Sequence, residues 1–316
     1  MRAAQRDMAQ GKKFKIALVI GSGGIRSILG IGVYQALVES GYSPDLIVGC
    51  SAGAIFGAAL AQGAGAEVAL HRAETLWTAE LTNVTRWSAV PTLLLAKFGL
   101  FREDFSLKDD IKIVKRLTDA FGDLAIEDLA IPLRIAATQA DTGNPVVLEQ
   151  GHLVSALRAS IAIPFVFPPF RSADQLLVDG VIAAPLPVSA AADAHVVVSV
   201  GLESAMPRSA SSPTRLFNRT FAATTNNLMR AQLQLAVATG MRLVNVVPAL
   251  DRRVGLFETA AMPYLVTEGR RAMLQRLASL QSCIGLGYVP QADVGADPVR
   301  TPGLRTHDRR IVPIDA

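Results

Sequence analysis

Two strand-to-helix turns follow one another near the start of the chain, and they narrow its fold more than any other feature. Ile16 to Ile20 is a short, wholly apolar run rich in β-branched residues and closed by Gly21, the pattern of a buried strand. A glycine-rich turn leads into a helix expected from about Ser27 to Glu39, which stops at Gly41, where glycine takes a left-handed cap at little cost. Asp45 to Gly49 reads as a second short strand, and Ala52 to about Gln62 as a second, alanine-rich helix. Successive strand-helix units predict a parallel sheet with right-handed crossovers. Further strands are expected at Leu133 to Thr138, Pro145 to Glu149, Leu176 to Val178, Val196 to Val200 and Leu243 to Val247, separated by stretches long enough for helices. The expected fold class is therefore α/β.

Of the 316 residues, 50% are hydrophobic and 18% charged, enough apolar material for a sizeable core. One domain is expected over 14–290, with basic, loosely packed tails at 1–13 and 292–316. The net charge of +4 is too mild and too dispersed for nucleic acid, though it suits weak attraction to an anionic membrane. Cys50 and Cys283 are too few for a disulfide framework and lack metal-ligand spacing. The apolar run at Ile16 to Ile20 is too short for a signal-peptide core, and no stretch reaches the roughly 18 apolar residues of a spanning helix. A cytoplasmic protein is expected, with peripheral membrane contact open. The segment from Trp77 to Phe105 carries many large apolar residues and reads as a helical excursion that caps an acyl pocket, touches a bilayer, or simply packs on the core.

Where the second strand meets the second helix stands Gly49-Cys50-Ser51-Ala52-Gly53, a GxSxG frame. A nucleophile on a sharp strand-to-helix turn needs small flanking residues, which Gly49 and Gly53 supply, and the helix N-terminus favours developing negative charge. The first turn, Gly21-Ser22-Gly23-Gly24-Ile25-Arg26, has backbone N–H groups that can converge on an anion. It fails the dinucleotide pattern because Arg26 occupies the third glycine position and no acidic residue ends the second strand. An oxyanion hole for acyl transfer fits it better. Arg26 then supports the loop, contacts an anionic head group, or faces solvent.

A serine nucleophile needs a base, and none of His71, His152, His195 and His307 sits in a setting that suggests catalysis. Asp179, at the end of the apolar run Leu176 to Val178 and followed by Gly180, is better placed: the glycine turns the chain and leaves a carboxylate pointing at a site.

Together these residues resemble the patatin-like phospholipase family, whose members combine a GGGxR/K loop, a GxSxG elbow and a later Asp-Gly motif. The matching pieces, GSGGIRSILGIGVYQAL, PDLIVGCSAGAIFGAALA, ALRASIAIPFVFPPF and LLVDGVIAAPLPV, lie in the family's order between about Phe14 and Leu202. The resemblance implies a three-layer fold with a central, mostly parallel sheet flanked by helices, and a Ser-Asp dyad without metal or cofactor. It implies Ser51 as nucleophile, Asp179 as base, and the N–H groups of Gly23, Gly24 and Ser22 as oxyanion donors. The substrate class it implies is a phospholipid or other acyl-ester lipid. The chain departs from the family at Ser22 and Ser27, where glycines are usual, at Val181, where a second glycine is usual, and at Ala184, where asparagine is common.

In such a mechanism Asp179 takes the Ser51 proton as Oγ attacks the acyl carbonyl, and later activates the water that releases the fatty acid. A carboxylate near its usual pKa of about 3.9 is a weak base for a hydroxyl, so desolvation must raise it or the oxyanion hole must supply much of the stabilisation. An α/β-hydrolase with a histidine base competes poorly, since only one strand-helix unit precedes the serine. An acyltransferase or thioesterase using the same dyad, and a non-catalytic lipid-binding protein, remain open alternatives.

Overall fold

The apolar run that opens the fold is strand β1, Phe14–Ile20, and the second is β2, Leu46–Cys50, lying parallel to it with Ile20 opposite Gly49. The computed structural model describes residues 14–77, 106, 110–172, 175–206, 211–256 and 258–285. The expected cap-like excursion, apart from Trp77, and the expected tails lie outside the described residues. Six further strands complete one eight-stranded sheet: β3 Leu133–Gln139, β4 Pro145–Leu148, β5 Phe170–Ser172, β6 Gln175–Asp179, β7 Ala194–Val200 and β8 Leu243–Val246. β1 pairs with β2 and β7, β2 with β3, and β7 with β8, all parallel.

Antiparallel pairing enters at one side, where β3 pairs with β4 and β6, and β5 with β6. The reason is connection length. The segments joining β3 to β4 and β5 to β6 are too short for a crossover, so each pair must turn back on itself. The sheet is thus mixed and mostly parallel.

Helices cover both faces, as the alternation of β1 requires. Ile16, Leu18 and Ile20 point into one apolar cluster, with α1 (Leu29–Glu39), α2 (Ala52–Ala61) and further residues of the C-terminal helices; Ala17 and Val19 point into another, with residues of the long helix 213–238. Between these lie α3 (Ala66–Leu76), α4 (Ile111–Phe121) and α5 (Leu153–Ser160), followed by α6 (Pro213–Ala238), α7 (Met262–Leu274) and α8 (Leu277–Gly285). The first expected helix begins as a 3₁₀ turn, Gly24–Ile28, before becoming α1, and Gly41 takes φ +84° just past its end. No helix among the described residues is long and apolar enough to cross a membrane.

Candidate active site

Ser51 is the first residue after β2 and the last before α2, and it holds φ 56° and ψ −129°. A non-glycine residue there is strained, and such strain persists only where the surroundings over-determine it. Here they do. A Cβ on Gly49 would lie 2.4 Å from the Ala54 Cα, and one on Gly53 would lie 2.5 Å from the Ile20 carbonyl oxygen and 2.6 Å from that of Gly21. At Gly49 the turn presses on the start of α2, and at Gly53 on the end of β1. Gly53→Ala is expected to destabilise the protein by at least about 2 kcal/mol, read as a thermal midpoint lowered by about 5 °C.

The partner of Ser51 arrives through an unusual junction in the sheet. β4 pairs with Ile135 to Thr138 of β3, overlapping both the β2 partners (Leu133 to Ala136) and the β6 partners (Ala137 to Gln139). β2 and β6 must therefore share the opposite edge of β3. β2 ends at Cys50 beside Ala136, while antiparallel β6 ends at Asp179 beside Ala137, so the two strands meet head to head. Ser51 Oγ donates to Asp179 Oδ2 at 2.7 Å, and Val181 N–H donates to Oδ1 at 2.8 Å. Asp179 is fully buried and Ser51 is 8% exposed.

Burial pushes the Asp179 carboxyl up to about 7, against the opposing pull of the Val181 N–H and the Ser51 hydroxyl. Desolvation is one of the two routes that the sequence left open for a carboxylate expected to act as a base. Burial, with the nearby Asp179 charge adding to it, holds the Cys50 thiol well above its usual value, which leaves it protonated and inert.

The glycine-rich turn follows β1 and so lies alongside the Ser51 turn. Its backbone is anchored at several points: Gly21 N–H donates to Val200 O, Ser22 N–H to Pro185 O at 2.8 Å, and Ile25 N–H to Leu256 O. Gly24 has φ +58°, and a Cβ there would lie 2.5 Å from Leu256 O. The Ser22 N–H is thus already engaged, as is that of Ser51, which donates to Ser160 Oγ at 2.9 Å. Gly23 and Gly24 carry the N–H groups of this turn for which no such backbone acceptor is found. Arg26 is 8% exposed, so it does not face solvent; its guanidinium donates to Gly23 O, Glu203 O and Ser204 Oγ, as a support of the loop would. Desolvation lowers its pKa.

Three side chains hold this arrangement, and only Ser27 among them was named from the sequence, as a departure from the family's usual glycine. Ser160, at the end of α5, is fully buried and donates to Ala136 O at 2.7 Å while accepting from Ser51 N–H. Thr138 donates to Asp179 O at 2.9 Å, and Ser27 to Gly21 O at 2.7 Å. Ser160 and Thr138 are single hydroxyls that no local pattern sets apart from any other buried serine or threonine.

The described histidines are elsewhere. His71 is exposed on α3, His152 caps the start of α5, and His195 meets Arg242 at the start of β7, the end of the sheet away from Ser51. His307 lies outside the described residues.

Fold and site together define an α/β protein with a serine on a strained strand-to-helix turn, bonded to a buried carboxyl beside a glycine-rich loop. The family model for patatin-like phospholipase matches residues 18–192, and the chain belongs to that family. An uncharacterized NTE family protein of Mycobacterium bovis is 38% identical over 190 residues, covering 60% of this chain and 49% of that protein. Neuropathy target esterase sws of Drosophila melanogaster is 30% identical over 174 residues, 52% of this chain and 11% of that protein. The match spans about half of the first relative and far less of the second. Among solved structures, VipD from Legionella pneumophila aligns with a TM-score of 0.42 at 14% identity, over 85% of this chain and 67% of its own.

Proposed function

We propose that this chain is a lipid acyl-ester hydrolase in which Ser51 is the nucleophile, Asp179 the general base, and the Gly23 and Gly24 N–H groups the oxyanion donors. The observation that carries this reading is the 2.7 Å bond from Ser51 Oγ to a buried carboxyl whose pKa is pushed up to about 7. Asp179 takes the hydroxyl proton as Oγ bonds to the acyl carbon, and the carbonyl electrons move onto oxygen at the glycine loop. Collapse expels the alcohol, which takes that proton, and leaves an acyl-enzyme. Water then gives a proton to Asp179 and attacks the acyl carbon. Ser51 leaves with the proton and the fatty acid is released. A carboxylate near 7 is far better matched to this task at neutral pH than one near 3.8.

Family membership supports a lipid ester as substrate, and so does the surface beside the site. Phe221 packs on Cys50, Ala136 and Val181, Phe217 stacks on Phe221 at 6.0 Å between centroids, and Phe165 meets Phe217 edge-on at 6.4 Å. Phe217 is 49% and Phe165 51% exposed, with exposed Leu216 and Arg215 nearby on α6. Apolar rings flanked by a cation suit the interfacial zone of an anionic bilayer, and this face supports peripheral membrane contact. Phe217→Ser is expected to lower hydrolysis of anionic phospholipid vesicles about tenfold, the burial of one aromatic ring, while leaving a water-soluble short-chain ester unaffected.

The direct test is fatty-acid release from phospholipid vesicles and from p-nitrophenyl esters of short and long acyl chains, alongside fluorophosphonate labelling mapped by peptide. Labelling at Ser51 with release of fatty acid is expected. A folded protein that neither labels nor hydrolyses any of these esters would overturn the reading.

A further inference from the structure

The strained backbone of Ser51 needs something to hold it, and one buried side chain is placed to do so. Ser160 Oγ has a single proton, and its 2.7 Å bond to Ala136 O uses it. Its lone pairs are then turned toward the Ser51 N–H, 2.9 Å away. The hydroxyl therefore works in a fixed direction, as donor to β3 and acceptor from the turn after β2. The same Ala136 carbonyl oxygen lies 2.5 Å from where a Cβ of Gly180 would stand, immediately after Asp179. One peptide of β3 thus abuts the Asp179 turn directly and reaches the Ser51 turn through Ser160.

We infer that Ser160 is a positioning residue for the reaction: its hydroxyl fixes the Ser51 peptide in the positive-φ conformation and so sets the Ser51 Oγ to Asp179 distance. This inference rests on the reading of Ser51 as nucleophile. Without the hydroxyl, the Ser51 N–H is a buried donor with no acceptor, and a peptide in a strained conformation relieves that by rotating. Rotation about the bonds flanking Ser51 swings Oγ away from the carboxyl and from the glycine loop together. The Ser51 N–H is also spent on this bond, so the hydroxyl acts through backbone geometry and leaves charge stabilisation to the loop.

The test compares wild type with Ser160→Ala and Ser160→Thr on a soluble p-nitrophenyl ester, with competent sites counted by fluorophosphonate titration. The expected result for Ser160→Ala is a kcat per titrated site about 10- to 100-fold lower, with KM within about twofold and the midpoint of the pH profile moved upward, because Asp179 loses the Ser51 hydroxyl that opposes its burial. Ser160→Thr, which restores the hydroxyl, is expected to recover most of the loss. Should Ser160→Ala not fold, Ser160→Cys keeps the volume with a poor hydrogen-bonding group and is expected to show the same fall in kcat. An unchanged kcat per site in the folded variant that lacks the hydroxyl overturns the inference, as does a threonine variant no better than alanine. A wild-type protein that does not label at Ser51 instead overturns the reading of the nucleophile itself.

Discussion

Ser51→Ala is expected to remove fluorophosphonate labelling and to lower ester hydrolysis by at least about 10³-fold, with the fold retained. The expectation follows from position. Among the described residues no other hydroxyl is seen to bond the Asp179 carboxylate, and Cys50, the nearest sulfur, is held as a neutral thiol. The loop and the helix N-terminus remain in the variant, so a residual rate above that of water is consistent with it. Hydrolysis within tenfold of wild type, or labelling at a different residue, would show that the reacting group is elsewhere.

Asp179→Asn carries the second large effect, and it has two signatures of opposite sign. Turnover is expected to fall by at least about 10³-fold, since the amide offers no base while keeping an oxygen for Val181 and a nitrogen for Ser51. Stability is expected to rise. The native carboxyl, at about 7 against an ordinary 3.8, keeps a proton that the unfolded chain has released, so wild-type stability falls as pH rises through that window. The shift corresponds to about 4 kcal/mol at pH 8, which the neutral amide does not lose. Paired urea titrations at pH 4 and pH 8 read this directly: the variant gains over wild type at pH 8, and the gain shrinks toward pH 4. For the active wild type the same titration predicts kcat/KM rising with pH to a midpoint near 7. A flat profile from pH 5 to 9, or a variant less stable at pH 8, would contradict the buried, proton-holding carboxyl.

The parallel part of the sheet was legible because its strands are short, mostly apolar runs separated by stretches long enough for helices, as after Ile16 to Ile20. The antiparallel side was less so. β5 has three residues next to a proline-rich stretch, too short for any periodic signal, and the sharing of one β3 edge by β2 and β6 is a fact of pairing that no local pattern encodes. The same division runs through the site. Ser51 and Asp179 stand in motifs with a mechanical reason for their spacing, and the structure brings their side chains together. Ser22 has the right place in its motif, yet a carbonyl from the distant Pro185 takes its N–H. Ser160 and Thr138 grip the two turns from within apolar segments, where only tertiary contact distinguishes a positioned hydroxyl from a tolerated one.

The head-to-head junction of β2 and β6 makes β3 a ruler on which two separately formed ladders are measured off. A slip of one residue in either ladder moves its end by about 3.3 Å and turns every side chain to the other face. Ser51 and Asp179 are 128 positions apart in sequence, so a nascent chain carries the serine and its loop long before the carboxylate arrives. The esterase activity proposed for this chain should therefore switch on late in folding, which would make it a reporter of whether the sheet has closed in register.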